Sequence, residues 1–451
     1  MGVMDGPIAL AARVPGSVRA TAGESGGRGR VMFRVDPSHH AGALSEAAGR
    51  KIAGAAALAL KLRRPLLGVV ASSGADVFEG VAALHGWGTA ARAVAACSGI
   101  VPVALAVTGP AVSGPALLLG LADLVSMTGD AFAYLSGPDA VASWTGVELT
   151  PRTLGGAPVH ARMTGLCSFL AEDEAGAVDA LEHALAYLPD HTDDEPPEWP
   201  HDDDPDRPTP ELRELLPVSP NGTYDVRSLI AAVVDHSELC ELRSRWAPNI
   251  VTAFATIDGR PVGLVANQPQ AVAGTLDIEA SQKAAGFVGL CDAYNLPIVT
   301  IVDTPGFFPG KDLEWRGMIR HGAQLAFAYA EATVPRVCLI TRKSYGGAFI
   351  VMDCKTMGND VCFAWPSAEI AVMGAKGAIA ILHRRADAEL QARLEAEYAE
   401  DYLTPYVAAE RGYVDEVIDP AETRSQIARA LQQLGSKRER IVGRPHANGP
   451  L

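Results

Sequence analysis

Positive charge is in short supply in this chain. Lys and Arg number 38 against 53 Asp and Glu, a formal net charge of -15. No basic block exists to neutralise phosphates, so nucleic acid is not expected as a partner. Cysteine is sparse: Cys97, Cys167, Cys240, Cys291, Cys338, Cys354 and Cys362 include no C-x-x-C pair. That argues against a disulfide framework and a zinc site, and predicts reduced, buried thiols in a cytoplasmic protein. His39-His40, His85 and His160 have no metal-ligand spacing, so no metal is expected. The N-terminus "MGVMDGPIALAARVPG" carries Asp5 and only a short apolar run, so it does not read as a signal peptide. One uncharged run, residues 93–122, is long enough to span a bilayer. Pro102, Pro110, Pro115 and four glycines break it, and "VPVALAV" reads as a short buried strand. Strand, turn and buried helix are therefore expected there, and no membrane span.

Two catalytic signatures are missing around the paired glycines Gly346 and Gly347 as well: no Gly-x-Ser-x-Gly nucleophile and no P-loop Lys-Ser/Thr follows them. "GWGTAA" from Gly86 imitates a dinucleotide fingerprint, but it follows the helix-like "VFEGVAAL" and not a strand, so packing is the better reading.

Between Asp190 and Asp206 sit nine acidic residues with four prolines, a composition that predicts a solvated linker over 190–209. It divides the chain into 1–189 and 210–451, and those halves rhyme. "GIVPVALAVTGPAVSGPALLL" lies over "ATVPRVCLITRKSYGGAFIVM" without a gap, placing Pro102 on Pro335 and Gly114 on Gly347. "FAYLSGPDAV" echoes "FAWPSAEIAVMG", and each half has an upstream strand ending in a glycine turn, "PLLGVVASSGADVFEG" and "PIVTIVDTPGFFPG". Apolar strands of about five residues joined through turns to helices predict a duplicated α/β fold with parallel strands. "LQARLEAEYAEDYLTPYVAAERGYVDEVI" predicts a helical extension packed on the second half.

In "TRKSYGGAFIVM" a strand runs into two glycines and then a segment able to start a helix. Such a turn presents unsatisfied backbone N–H groups to something negative. Two amides aimed into a dry cleft form an oxyanion hole. The copy at Ser113-Gly114 suggests two such holes, suited to a reaction in which two carbonyl compounds become enolate-like.

The second half resembles the carboxyltransferase (beta) subunit of biotin-dependent acyl-CoA carboxylases of the propionyl-CoA and acetyl-CoA type. The resemblance is carried by "VGLVANQPQAVAGTLDIEASQKAAGFVGLCDAYNLPI", "VDTPGFFPG", "RHGAQLAFAYAEATVPRVCLITRKSYGGAFIVM", "FAWPSAEIAVMGAKGAIAILHRR" and "YVAAERGYVDEVIDPAETR". In the first half "GALSEAAGRKI", "EGVAALHGWG", "GVELTPRTLGG" and "ALAYLP" match well. The usual D-S-G-G-A-R turn is "ASSGAD" here, the usual C-A-G-G-A is "AVSGP", and the family's first several dozen residues are not matched. These departures fall on the side where the family holds most of its coenzyme A.

The resemblance implies a duplicated crotonase-like (ClpP/crotonase) superhelix of β-β-α units in two similar subdomains. It implies carboxyl transfer from carboxybiotin to a short acyl-CoA, with the cofactor taking the α-proton so that no protein base is needed. Biotin must arrive on a separate carrier, because no biotin-attachment Met-Lys-Met occurs here. A biotin carboxylase or biotin carrier subunit is the implied partner, and a homo-oligomer, most often a hexamer, the implied assembly. Carried over by position, Gly347 and Ala348 would hold the biotin ureido oxygen, with Gly306, Phe307 and Gly346 beside it. Ser113 and Gly114 would hold the thioester carbonyl, and Gly74, Ala75, Gly137, Pro138 and Ile350 would contact the acyl-CoA. Pro115 falls where the repeat puts Ala348 and has no N–H, so a hole built from 114 and 115 has lost a donor, whereas one built from 113 and 114 keeps both. Ile350 stands where many propionyl-type members have Asp, which predicts altered acyl selectivity. Two other readings fit the same residues: decarboxylation of malonyl- or methylmalonyl-CoA through the same enolate, and a weakly catalytic scaffold paired with an intact paralogue.

Overall fold

The computed structural model describes residues 8–9, 16–25, 27–219, 222–437, 439 and 449–450. The chain forms two compact units, Met1–Glu195 with Arg243–Trp246, and Pro196–Leu242 with Ala247–Leu451.

The first unit is built on one sheet. Its strands are β1 (Ile8–Ala9), β2 (Val18–Ser25), β3 (Arg28–Val35), β4 (Leu66–Ser72), β5 (Val103–Val112), β6 (Leu124–Thr128), β7 (Phe132–Tyr134) and β8 (Phe169–Ala171). Their order is β1-β2-β3-β4-β5-β6-β8, with β7 paired to the end of β5. The first pairs are antiparallel and everything from β3 onward is parallel. Helix α1 (Glu46–Leu62) connects β3 to β4, and α2 (Val81–Ala95) connects β4 to β5. Ser45 starts α1 by accepting the Ala48 N–H at 3.1 Å, as an N-cap hydroxyl does. The apolar run at 93–122 is the end of α2, then β5, then a 3-10 helix at Gly114–Leu121. Among the described residues no helix is long and apolar enough to cross a membrane.

The second unit repeats this plan strand for strand. Its strands are β9 (Leu239–Leu242), β10 (Ile250–Ile257), β11 (Arg260–Asn267), β12 (Ile298–Thr304), β13 (Arg336–Tyr345), β14 (Val361–Ala364), β15 (Glu369–Ala371) and β16 (Glu416–Val417). Their order is β16-β14-β13-β12-β11-β10-β9, with β15 on the end of β13 as β7 is on β5. Even the irregularities recur: the β4–β5 register shifts between Val70 and Ser72, and the β12–β13 register between Val302 and Thr304. Helix α3 (Ile278–Ala293) connects β11 to β12, and α4 (Met318–Glu331) connects β12 to β13. Each unit has its own apolar core, around Phe33, Ile52, Leu66 and Leu105 in the first, and Val251, Leu264, Ile301, Leu339 and Trp365 in the second.

Three expectations change in detail. The sheets are not purely parallel, because each opens with an antiparallel hairpin. In the second unit Asp258 and Gly259, at φ 55° and 69°, make the tight turn that such a hairpin needs. The acidic segment is not freely solvated along its length. Asp190 is buried against Arg28 (2.6 Å), Arg30 (3.2 Å) and Arg64, and Asp203 pairs with Arg207 at 2.8 Å. Fully buried Arg424 reaches the carbonyls of Asp203 and Asp204. Arg207 is a local partner, four residues on, but Arg28, Arg30, Arg64 and Arg424 are remote in sequence and supply countercharge that local composition does not reveal. The C-terminal extension is helical at Ala388–Tyr398 and Pro405–Glu410, but it ends in β16, a sheet strand. The seven cysteines are buried and unpaired, and burial pushes the thiols of Cys167 and Cys240 up to about 12.

Candidate active site

The register shifts at the last residues of β4 and β12 lead those strands into matched turns. In the first unit the Ser72 hydroxyl accepts the Gly74 N–H at 3.2 Å, and the Gly74 carbonyl accepts the Leu44 N–H at 2.8 Å. In the second, Thr304 and Gly306 repeat the first bond at 3.4 Å, and Gly306 accepts the Leu276 N–H at 3.1 Å. Gly74 and Gly306 sit at φ 111° and 139°, a region that L side chains rarely enter. Ala75 and Phe307 follow, each bridged to the segment ahead of its unit's long helix, at Leu44 and Leu276.

Beside them, β5 and β13 run into the second pair of turns. β13 ends at Tyr345, and the helix Gly346–Val351 begins at once, with Gly346 at φ 59°. The first N–H groups of a helix have no partner inside it, which leaves the amides of exposed Gly347 and buried Ala348 without a helical acceptor. The Phe307 ring covers this turn: a Cβ on Gly347 would lie 3.3 Å from it, and one on Gly322 of α4 3.2 Å. Gly306, Phe307, Gly346, Gly347 and Ala348 are thus one cluster. Ile350, 39% exposed, is on the same short helix.

The first unit's copy of the turn is built differently. Ser113 takes the place of Gly346 and adopts φ 62°, ψ −151°. Backbone of that kind on a residue with a Cβ costs on the order of 1–3 kcal/mol, and such strain concentrates at functional sites. The Ser113 N–H donates to the Tyr134 carbonyl at 2.8 Å, so it is not an open donor. Gly114 follows, and Pro115 has no N–H to offer. Gly74 lies against this turn, its virtual Cβ 3.4 Å from Ser113 Cβ. Gly137 and Pro138 start a helix at Pro138–Thr145 and reach the cluster through Tyr134, whose ring would sit 3.6 Å from a Cβ on Gly137. Ala75 is beside Gly74 in the chain but is tied to Leu44.

Charge around the two sites differs. Near the Gly74 turn a hydrogen bond from His40 (3.1 Å) holds the Asp76 carboxyl below its ordinary range, and Asp76 also accepts the Phe78 N–H at 3.0 Å. Behind the Gly346 turn Asp303 is buried and its carboxyl is raised by burial, although Arg342 donates to it at 3.0 Å and the Lys343 N–H at 3.2 Å. The Tyr345 phenol is pushed well up by burial and by its hydrogen bond to Glu369.

Sequence reasoning passed over the turn-capping hydroxyls of Ser72 and Thr304, whose signal is a hydroxyl residue two places before each turn glycine. It also read Trp87 as part of a false dinucleotide fingerprint and of a family-like stretch, without a role, whereas the indole lies on Gly114.

Two duplicated sheet units, each with glycine turns after its third and fourth long strands, define a carboxyltransferase of the crotonase-like class. The chain belongs to the carboxyl transferase domain family, whose profile matches residues 8–448. It is 42% identical over 439 residues to the propionyl-CoA carboxylase carboxyltransferase subunit of Haloferax mediterranei, covering 95% of this chain and 84% of that protein. Over 426 residues it is 41% identical to methylmalonyl-CoA decarboxylase subunit alpha of Veillonella parvula, with 94% and 83% covered. The transcarboxylase 12S hexamer, solved with methylmalonyl-coenzyme A bound, superposes at a TM-score of 0.95 with 40% identity, covering 96% of this chain and 85% of that one.

Proposed function

We propose that this enzyme moves a carboxyl group from biotin, delivered on a separate carrier chain, to the α-carbon of a short acyl-CoA of the propionyl type. Biotin bound here in its carboxylated form would supply the carbon dioxide and would serve as acceptor for the substrate's α-proton. The donor set fits such a cofactor: two orphaned amides under an aromatic cover suit a neutral ureido oxygen that gains negative charge. Gly347 and Ala348 N–H hold that oxygen, and Gly306, Phe307 and Gly346 shape the space around it. In the first half the Gly114 N–H holds the thioester oxygen as it becomes an enolate, Ser113 fixes the turn, and Gly74, Ala75, Gly137 and Pro138 flank the coenzyme. Ile350 faces the acyl group. The first half is then the acyl-CoA side and the second the biotin side.

The chain acts as a homo-oligomer, a hexamer like the transcarboxylase core. Exposed apolar rows support this, Val77, Phe78, Val81 and Leu84 in the first unit and Trp315 and Ile319 in the second. A biotin carboxylase or carrier subunit is its partner, and the buried, unpaired thiols fit a cytoplasmic home.

The observation that carries this reading is the turn that recurs in both halves and leaves backbone amides without an acceptor, at Gly114 in the first and at Gly347 and Ala348 in the second, with no nucleophile beside them. Purified oligomer supplied with carboxylated biotin carrier should convert propionyl-CoA to methylmalonyl-CoA, followed by chromatography of the thioesters. No transfer to acetyl-, propionyl- or butyryl-CoA, and none in reverse, would overturn it. Identity to a methylmalonyl-CoA decarboxylase subunit favours one second reading, in which the same enolate forms by loss of carbon dioxide. Net decarboxylation without net carboxylation selects that reading.

A further inference from the structure

We propose that the indole N–H of Trp87 is a second donor to the thioester oxygen in the first-half turn, replacing the amide that Pro115 removes. This rests on the carboxyl-transfer reading and adds to it a residue outside the backbone turns. The inventory of that turn is short. Ser113 N–H is committed to the Tyr134 carbonyl (2.8 Å), and Ala116 N–H to the Ser113 carbonyl (3.0 Å). Pro115 has none. Among the described residues, Gly114 N–H is the one amide of the turn left open.

Trp87 stands on α2 with its ring over Gly114. A Cβ built on Gly114 would lie 3.4 Å from Trp87 Cε2 and 3.6 Å from Nε1. The Nε1 atom has no acceptor, and because it is screened from solvent the ring must turn as substrate enters for an oxygen to reach it. Buried indole N–H groups ordinarily find a partner, so an orphan at this position calls for one brought by a ligand. Such donors are often poorly aligned before substrate binds and tighten when it does.

The second unit supplies the contrast. There the turn glycine, Gly347, is covered by Phe307, which comes from the loop after β12 and faces Gly322 on the helix. In the first unit the matching loop residue is Ala75, and the aromatic ring comes from the helix instead. The half that keeps both amides has a cover with no donor; the half that loses one amide has a cover with an N–H. Two independent differences meet in one turn and offset each other.

Trp87→Phe keeps the ring and removes the N–H. It should lower kcat for carboxyl transfer to propionyl-CoA about 10²-fold, the typical effect of one lost donor, with little change in KM. The free protein should melt no earlier than the parent, because an orphan donor has gone. Pro115→Ala in that background should recover at least about tenfold of the loss by returning an amide. In the parent enzyme with indole nitrogens labelled by 15N, saturating propionyl-CoA without biotin should move the Trp87 N–H proton resonance downfield. That resonance is assigned by its loss in Trp87→Phe or, if that variant does not fold, in Trp87→Tyr. A Trp87→Phe enzyme with parental kcat, a loss that Pro115→Ala leaves untouched, or a resonance that does not move would each overturn the assignment. If the parent shows no turnover in either direction, the functional proposal fails while the resonance still decides whether the indole meets the thioester.

Discussion

Ala348→Pro copies into the second half the arrangement that the first half already has at Pro115. The perturbation is narrow. Ala348 lies in the opening turn of Gly346–Val351, where its N–H has no intrahelical acceptor, so proline removes no helix hydrogen bond. Its carbonyl remains free to accept the Met352 N–H at 3.1 Å. The cost comes from packing: Ala348 is fully buried, and overfilling a core site typically costs about 1–3 kcal/mol. For a unit of this size that is a fall in Tm of roughly 2–12 °C, from about 2–4 °C per kcal/mol. Proline also disfavours α geometry at Gly347, so the turn should tighten toward the 3-10 form seen at Gly114–Leu121. Turnover should suffer far more, because one of two donors to the ureido oxygen is gone: about 10²–10³-fold in kcat, or roughly 2.7–4 kcal/mol. The assay is carboxyl transfer from a carboxylated biotin carrier to propionyl-CoA, well below the variant's Tm. A folded variant that keeps kcat within about twofold of the parent, less than about 0.5 kcal/mol of barrier, would refute the amide role.

Ile350→Asp puts a charge where the side chain is proposed to face the acyl group, and should change the ratio of kcat/KM between acetyl- and butyryl-CoA about tenfold or more without loss of fold, against an expected 1–3 kcal/mol per methylene. An unchanged ratio would move Ile350 out of the pocket. Gly274→Ala should destabilise the second unit by about 2 kcal/mol or more, seen as an earlier thermal transition, because φ is +73° and the new Cβ would meet the Asp303 carbonyl oxygen at 2.5 Å. Two carboxylates should shape the pH dependence of Tm in opposite ways. Burial pushes Asp353 up to about 6 from an ordinary 3.8, so its contribution is full below 3.8 and is lost as pH rises through 6; Asp353→Asn should flatten that limb. Asp203, held down to about 2 by its hydrogen bond from Arg207, contributes above 3.8 and is lost as pH falls through 2, so Asp203→Asn should flatten the acid limb.

Much of the fold could be read from the chain because the duplication is written in it. Pro102 over Pro335 and Gly114 over Gly347 set two strands and two turns in register. What escaped needed contacts between distant residues. The "IDGRP" turn carries a local hairpin signal, yet the apolar strands around it looked alike whichever way they run. Asp190 and Asp203 look solvated in a stretch of acids and prolines until Arg28, Arg30 and Arg424 are placed beside them. In the candidate site, the glycines were legible because a φ such as 139° at Gly306 leaves few other choices. The state of the Ser113 amide was not legible: whether it is open depends on Tyr134, which reaches it only through the pairing of β5 with β7. Trp87 was hidden for the same reason, its partner glycine being on another element.

The four residues Arg243–Trp246 belong to the first unit, though the chain on both sides of them belongs to the second. Arg243 donates to the Gly165 carbonyl at 2.6 Å and to the Ser168 carbonyl, and a Cβ on Gly165 would run into the Trp246 ring at 2.3 Å. A gene cut after Glu195 would therefore not yield a finished first module, since it would lack the plug over Gly165. A break after Trp246 would carry Pro196–Leu242 of the second unit off with the front piece, so splitting this enzyme into two polypeptides at Glu195 requires a second copy of that short clasp to travel with the front piece. The internal repeat marks where an ancestral unit was copied, but the workable points of fission are set by this clasp.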